Sequence, residues 1–309
     1  MKKLTNPKLL NPLLGVLGLA SCTVIASPII TNNAYDLTRI NRYAVINNAI
    51  FATPDNDTTV GTGVFDPFVR IQAQNGNDTV ENGYNTDGRP VEFDTKDQNR
   101  WTHSLLLSTV STKDVNGTLY REFFLDINES SGQGEQYLSL DDFRIFLGSV
   151  GDLDNYNLTT NTLSYANGTH TATKVYDLDT STTNNTIGLD YSNFSGSGKG
   201  IDLTVLVPDS VFTGANNQQY VYLYSSFGGV GNIVGNSSKK NNSPPPSLGP
   251  LPGAQVSPGA LPAGNYGASA GFEEWSSRSF LAVPEPATYW LLGIGMAGLL
   301  GLRRLRAYP

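Results

Sequence analysis

Cysteine and histidine are nearly absent from this sequence of 309 residues. The one cysteine, Cys22, lies in an apolar leader, and the two histidines are His103 and His170. The body of such a chain can form neither an internal disulfide nor a thiolate nucleophile. Structural zinc sites need several Cys and His ligands, so they are excluded as well. We predict no cofactor.

Charge is also scarce, and it is unevenly distributed. Charged residues make up 15% of the chain, and the formal net charge is −7. Six basic residues lie near the two ends, whereas all 27 acidic residues lie between them. An acidic body repels phosphate backbones, so nucleic acid is not an expected partner. The six basic residues are Lys2, Lys3, Lys8, Arg303, Arg304 and Arg306.

Residues 1–26 are typical of a secretory signal peptide. A basic start is followed by the apolar stretch 13–20 and by small residues before position 27. We expect a signal helix that takes the chain through the Sec translocon and is cut by signal peptidase between Ala26 and Ser27. Alternatively, "LASC" at 19–22 resembles a lipobox, in which case Cys22 is acylated and becomes the mature N-terminus.

The C-terminal end combines three features in a fixed order. The tetrapeptide Val283, Pro284, Glu285 and Pro286 is followed by sixteen uncharged residues, 287–302, and then by an arginine cluster. A helix of that length rises about 24 Å, somewhat less than a hydrocarbon core of about 30 Å. We predict a single transmembrane helix over 287–302 that holds the chain transiently, with the arginines in the cytoplasm and the body outside.

This arrangement resembles the PEP-CTERM protein-sorting signal of exported proteins in Gram-negative bacteria. The resemblance implies that an exosortase recognises residues 283–286, removes the tail and passes the protein to the cell surface or exterior. Arg303, Arg304 and Arg306 are then the stop-transfer charges. It further implies an association with exopolysaccharide and biofilm. The alternative is an ordinary single-pass anchor that is never cut.

Between the two ends, the sequence favours short β-strands. Runs such as "YREFFLDI" and "YVYLYSSF" are separated by turn pairs of the Asn-Gly and Asp-Gly type. In "IDLTVLV" the apolar side chains occupy alternate positions from Ile201 to Val207. We therefore predict an all-β fold for residues 27–230, an antiparallel β-sandwich of jelly-roll type.

Composition changes after residue 230. Residues 231–270 are rich in Pro, Gly and Ser and contain few core-forming residues, which predicts a linker or an elaborate loop. Residues 271–283 are more apolar and predict a final strand that returns to the body, or alternatively a membrane-proximal stalk. Segments that include "ENGYNTDGRPVEFDTK", "YREFFLDINES" and "GFEEW" are similar to uncharacterised exported PEP-CTERM proteins, a resemblance that implies no activity.

One strand contains candidate sugar-binding residues. Tyr220, Tyr222 and Tyr224 share one face of "YVYLYSSF", while Val221 and Leu223 share the other. If the aliphatic side chains face the core, the tyrosines form an external ladder on which polysaccharide can stack. The alternative is a tyrosine-rich inner face.

Acidic residues raise two weaker possibilities. Asp152 and Asp154 in "GDLDNYN" offer oxygen ligands for Ca²⁺, although polar turns explain them better because no EF-hand is present. Glycoside hydrolysis needs two carboxyl groups about 5 to 10 Å apart. The candidates are Glu92, Asp94, Glu122, Asp126, Glu129, Asp141 and Asp142.

These features together favour an exported surface or matrix protein that is not an enzyme. The expected partners are exosortase, signal peptidase, the Sec translocon and exopolysaccharide, with a transient hold on the membrane. The alternatives are a carbohydrate-binding module and, more weakly, a polysaccharide-active enzyme.

Overall fold

The computed structural model describes residues 30–54, 66–73, 80–129, 136–194, 201–214, 219–234, 251, 253–268 and 271–277. Within these ranges the chain forms nineteen β-strands and three short 3₁₀ turns, and no α-helix occurs there. The prediction of an all-β fold is confirmed. The predicted signal helix and transmembrane helix lie outside the described residues. In the part that is described, no helix is long and apolar enough to cross a membrane.

The strands are numbered in chain order. The first nine are β1 (Thr31–Asp36), β2 (Arg42–Ile46), β3 (Ala49–Ala52), β4 (Pro67–Ile71), β5 (Glu81–Tyr84), β6 (Leu105–Leu106), β7 (Thr112–Val115), β8 (Thr118–Asp126) and β9 (Tyr137–Gly148). The others are β10 (Asn155–Asn157), β11 (Thr162–Ser164), β12 (Thr173–Asp177), β13 (Thr183–Asp190), β14 (Leu203–Pro208), β15 (Tyr220–Phe227), β16 (Asn232–Ile233), β17 (Ala254–Gln255), β18 (Gly264–Asn265) and β19 (Glu273–Ser276). The 3₁₀ turns are Leu107–Thr109, Tyr191–Phe194 and Asp209–Phe212.

Two large sheets contain most of these strands. Sheet I has seven strands in the order β1-β13-β9-β15-β5, with β12 beside β9 and β6 beside β15. Sheet II has eight strands in the order β17-β2-β3-β14-β8-β19-β4, with β7 beside β8. The pairs β10-β11 and β16-β18 form two small additional sheets. β19 lies in the interior of sheet II, inside the range 271–283 where a final strand is predicted.

Both large sheets are mixed rather than purely antiparallel. β1 pairs with β13 in parallel, and β17 pairs with β2 in parallel, whereas the other ladders are antiparallel. Short hairpin turns impose antiparallel pairing, but these two pairs join segments far apart in the chain, where either direction is possible. The predicted antiparallel arrangement is thus wrong for these two pairs. The predicted jelly-roll order stays a prediction.

A hydrophobic core joins the two large sheets. Phe143 of sheet I meets Phe51 of sheet II edge-on, with ring centroids 5.7 Å apart. Trp275 of sheet II lies 5.1 Å from the Phe143 ring, and its indole Nε1 donates a 3.0 Å hydrogen bond to Ser225 Oγ of sheet I. Full burial of a phenylalanine stabilises the fold by about 1.5–3 kcal/mol. The sheets are therefore held by apolar contact and by a buried polar link.

Residues 253–268, within the predicted linker or loop, pack on the body. The Val256 backbone N–H donates to the Tyr43 carbonyl at 2.7 Å, and the Gly259 N–H donates to the Ala34 carbonyl at 2.8 Å. Tyr266 is fully buried and stacks on Tyr137, with ring centroids 5.1 Å apart. These residues form a packed loop because their backbone donors and one large aromatic side chain are satisfied by both sheets.

Candidate functional site

A pocket of about 640 Å³ crosses four adjacent strands of sheet I. Its polar lining comes from β1, β13, β9 and β15, and its apolar lining comes from the segments after β15 and before β18. Amide, hydroxyl and carboxylate groups beside an apolar patch suit a ligand with both hydroxyl groups and C–H faces. The residues that define this character are Asn32, Asn33, Asp141, Asp142, Asn184, Thr186, Val230, Ile233 and Leu261.

Asp141 is held firmly in the pocket wall. It accepts hydrogen bonds from the Gly229 N–H at 2.6 Å, from Ser139 Oγ at 2.9 Å and from Thr186 Oγ1 at 3.0 Å. Burial raises the pKa of Asp141, while these three donors favour its ionised form and oppose that rise. The carboxylate therefore ties β9 to β13 and to the turn that follows β15, and it fixes the shape of the pocket.

The second acidic residue of the pocket belongs to an ion cluster around Arg144. This arginine is 5% exposed and pairs with Asp142, with Asp177 at 3.2 Å and with Asp179 at 3.5 Å. Its guanidinium carbon lies 5.7 Å from the centroid of the Tyr224 ring. Burial is the main cause that raises the pKa of Asp179 to about 6. The three carboxylates are thus engaged by one buried cation.

The tyrosines of β15 do not form an exposed ladder. Val221 and Leu223, which share one face of the strand, lie in the core between the sheets. Tyr222 and Tyr224, on the opposite face, are 0% and 2% exposed. They belong to a second apolar layer, whose other buried members are Tyr84, Phe146, Leu153, Tyr156, Leu163 and Ala172. Tyr224 stacks on Tyr156 of the β10-β11 hairpin, with ring centroids 4.1 Å apart.

Tyr222 and Tyr220 differ in their surroundings. The Tyr222 hydroxyl donates to the Val150 carbonyl at 2.6 Å and accepts from the Leu153 N–H at 3.1 Å. Tyr220 is half-buried at the start of the strand. The predicted external ladder is corrected for Tyr222 and Tyr224 because the chain folds a hairpin over that face.

The two aspartates proposed for Ca²⁺ brace a loop. Asp152 is exposed and accepts a hydrogen bond from the Tyr165 hydroxyl, and Asp154 accepts from the Ala166 N–H at 3.3 Å. In the described ranges, three acidic residues close enough to share a metal ion occur elsewhere, at Glu81, Glu129 and Glu273. Asp152 and Asp154 do not belong to that group.

The carboxylates considered for hydrolysis are spread over the body. Asp141 and Asp142 meet in the pocket. Glu92 accepts from the Tyr84 hydroxyl at 2.6 Å and from the Tyr156 N–H at 2.8 Å, which places it beside two residues of the second apolar layer. The remaining four are held in other surroundings. Asp94 accepts from the Asn82 N–H at 3.0 Å, Glu122 lies 3.8 Å from Lys113 Nζ, and Asp126 and Glu129 are buried.

Sequence reasoning missed Glu81 and Glu273. Their positions in "ENGY" and "GFEEW" are unremarkable in composition. The sequence contains one local signal for Glu273. It lies two residues before Trp275, so both side chains share a strand face, and the tryptophan indicates that this face is buried. No local signal connects Glu81 with Glu273, since they lie on different sheets.

The sorting signals lie outside the described residues. These are Cys22, Ala26 and Ser27 at one end, and residues 283–286 with the arginines 303, 304 and 306 at the other. The family model described as the PEP-CTERM protein-sorting motif matches residues 282–306. The chain is a PEP-CTERM sorting domain-containing protein. No curated protein and no solved structure matches it.

The match assigns a route to this PEP-CTERM protein. The motif implies export, sorting to the cell surface and processing by an exosortase. It covers the C-terminal signal and not the body, so the pocket and the acidic clusters must be interpreted from their own chemistry.

Proposed function

We propose that this PEP-CTERM protein is a non-catalytic surface or matrix component that works in the exopolysaccharide layer of a biofilm. The observation that carries the proposal is the sorting motif at residues 282–306. In this proposal the segment 287–302 anchors the chain transiently, and exosortase acts at residues 283–286. The mature protein is then the β-sheet body.

The surroundings of the two pocket carboxylates support a non-catalytic role. Glycoside hydrolysis needs one carboxyl group that releases a proton and a second that attacks or activates water. Asp141 already accepts three hydrogen bonds, and Asp142 is paired with the buried Arg144. Groups held in this way favour positioning and binding over proton transfer.

Mass spectrometry of secreted material from a host with an exosortase tests the sorting part. The expected mature protein begins at Ser27 and lacks the residues beyond the Pro-Glu-Pro region. Replacing Glu285 with Ala should leave the chain in the inner membrane, whereas the control Ser277→Ala should be processed normally. Full-length wild-type protein retained in the membrane of that host would contradict the proposal.

The pocket favours a second candidate function, carbohydrate binding. Its amide and hydroxyl groups match sugar hydroxyls, and its apolar patch matches the C–H face of a pyranose. Ala260 lines the pocket and is exposed, so Ala260→Trp should obstruct it. Leu158, which is 54% exposed on the β10-β11 hairpin, gives the matched control Leu158→Trp.

Affinity electrophoresis through gels containing the host's purified exopolysaccharide measures this binding. Wild type and Leu158→Trp should be retarded, and Ala260→Trp should migrate as it does without polysaccharide. Equal retardation of all three proteins would rule out the pocket as the binding site. New reducing ends in the polysaccharide after incubation with wild type would instead support an enzyme.

A further inference from the structure

Three buried glutamates converge between the two large sheets. Glu81 begins β5 of sheet I, Glu273 begins β19 of sheet II, and Glu129 follows the end of β8 by three residues. Their exposed fractions are 3%, 0% and 4%, respectively. One carboxylate oxygen of each lies within 4.8 Å of those of the other two. Three carboxyl groups are thus gathered at one buried point.

Backbone geometry brings Glu273 and Glu129 together. Glu273 lies on the same face of β19 as Trp275, which is part of the main core, so its side chain points between the sheets. Gly271, just before the strand, has a φ of +78°, and a Cβ atom there would overlap the carbonyl oxygen of Asn128. Only glycine permits this approach, which sets the start of β19 against the residue before Glu129.

The carboxylate of Glu273 has no hydrogen-bond partner of normal geometry. Both of its oxygens are buried and unpartnered among the described residues. Glu81 Oε2 accepts from the Ala73 N–H at 2.6 Å, and within the described ranges neither Glu81 nor Glu273 forms an ion pair with Lys or Arg. A buried carboxylate without partners is strongly unfavourable. This arrangement points to a positively charged ligand.

Electrostatics around Glu273 agrees with that requirement. Burial raises the pKa of Glu273 well above its usual range, and it is raised further by Glu81, which is close enough to share a proton with it, and by the charge of Glu129. The Asn128 backbone N–H lies near enough to favour the ionised form, but it does not outweigh the other effects. A cation placed among the three groups would reverse this balance, because it favours the ionised form of every ligand.

We propose that Glu81, Glu129 and Glu273 bind one Ca²⁺ ion between sheet I and sheet II. Carboxylate oxygens are hard ligands, which Ca²⁺ accepts in large number and in flexible geometry. Mg²⁺ demands stricter octahedral geometry and retains several waters, and Zn²⁺ is bound most often through Cys and His. The ion neutralises two of the three charges and links the two sheets, so it should stabilise the fold.

Calorimetric titration and thermal unfolding of the full chain test the proposal. After treatment with EDTA and removal of the chelator, CaCl₂ should saturate one site and raise the Tm. Glu273→Gln removes one charged ligand, so it should weaken Ca²⁺ binding by at least about tenfold and abolish the Tm rise. Without Ca²⁺, the same variant should be at least as stable as wild type, because the amide has nearly the same shape and cannot ionise beside Glu81 and Glu129.

Glu274→Gln is the matched control on the same strand. The Glu274 carboxylate pairs with Arg70, with Arg70 Nε donating at 2.6 Å, and it faces away from the cluster. This variant should retain the Ca²⁺ response of wild type. The proposed site would be refuted if Ca²⁺ left the Tm of the wild-type protein unchanged, or if the Glu273→Gln variant responded to Ca²⁺ as the wild type does. An equal response to Mg²⁺ or Zn²⁺ would overturn the assignment to calcium.

Tb³⁺ luminescence keeps the proposal testable if Glu273→Gln fails to fold. Tb³⁺ occupies Ca²⁺ sites, and Trp275 lies two residues from Glu273, close enough to transfer excitation energy to the bound ion. Wild-type protein should therefore sensitise Tb³⁺ emission, and added Ca²⁺ should displace the ion and remove the signal. Absence of sensitised emission, or emission that Ca²⁺ leaves unchanged, would overturn the site.

Discussion

The hydroxyl of Tyr222 offers a sharp test of the second apolar layer. Replacing Tyr222 with Phe keeps the ring and removes one oxygen atom. That oxygen joins two backbone groups of the segment after β9, because it donates to the Val150 carbonyl at 2.6 Å and accepts from the Leu153 N–H at 3.1 Å. Leu153 is fully buried, so water does not readily replace the lost partner.

The size of the effect follows from these two contacts. A buried donor or acceptor left without a partner costs about 1–3 kcal/mol, and no cavity penalty arises because the ring remains. We expect a loss of about 2–3 kcal/mol in the free energy of unfolding. For a body of roughly this size, 1 kcal/mol corresponds to a change of about 2–4 °C in Tm. The Tm should thus fall by roughly 4–12 °C.

Urea unfolding followed by tryptophan fluorescence measures the change. The midpoint should fall while the slope with urea stays the same, since the surface exposed on unfolding is unaltered. Tyr220→Phe is the control, because Tyr220 is half-buried on the same face of β15 and its hydroxyl makes no hydrogen bond within the described residues. A Tyr222→Phe variant within about 0.5 kcal/mol of wild type, or an equal loss in the control, would refute the reasoning.

Three further predictions concern other contacts. The pKa of Asp179 is raised to about 6, so the folded state holds its proton more tightly than the unfolded state, and this group makes stability rise as the pH falls from about 6 to 4. Asp179→Asn should therefore remove this contribution to the pH dependence of the free energy of unfolding, measured with urea from pH 4 to 7. An unchanged dependence on pH would contradict the assignment. A Cβ at residue 264 would overlap the ring of Tyr137. Gly264→Ala should therefore lower the free energy of unfolding by about 1–3 kcal/mol and speed proteolysis of residues 253–268, and unchanged cleavage would count against that packing. The Asn85 side chain accepts from the Leu223 N–H at 2.7 Å and donates to the Val221 carbonyl at 2.9 Å. Asn85→Ala should lower the free energy of unfolding by about 2 kcal/mol and accelerate hydrogen exchange at the Leu223 amide, and slow exchange there would refute the prediction.

The alternation of β15 shows how far local pattern reaches. Side chains of a strand alternate between its faces, so the sequence is enough to predict that Val221 and Leu223 share one face and the tyrosines the other. The structure decides that Val221 and Leu223 face the main core. Whether the tyrosines opposite meet solvent depends on the β10-β11 hairpin, which lies about 60 residues earlier and packs Tyr156 on Tyr224. Composition indicates strands but does not indicate which segment covers which face.

The packed loop at 253–268 illustrates the same limit. Its Pro, Gly and Ser content is typical of linkers. Composition does not predict that its backbone N–H groups bond to the carbonyl groups of Tyr43 and Ala34, which are distant in sequence. Tyr266, the one aromatic residue of this loop, is fully buried on Tyr137.

By itself, the sequence determined the export route and the all-β class. A sorting signal is recognised as a short stretch at the chain end, and strand propensity depends on side chains close in sequence, so both are properties of local order along the chain. Only the tertiary structure decided which residues form sites. Glu81 and Glu273 lie on strands of different sheets, and Glu129 follows β8. They meet because the two sheets pack together and a left-handed glycine before β19 lets that strand approach the chain beside Glu129, which brings the carboxylates within 4.8 Å of one another.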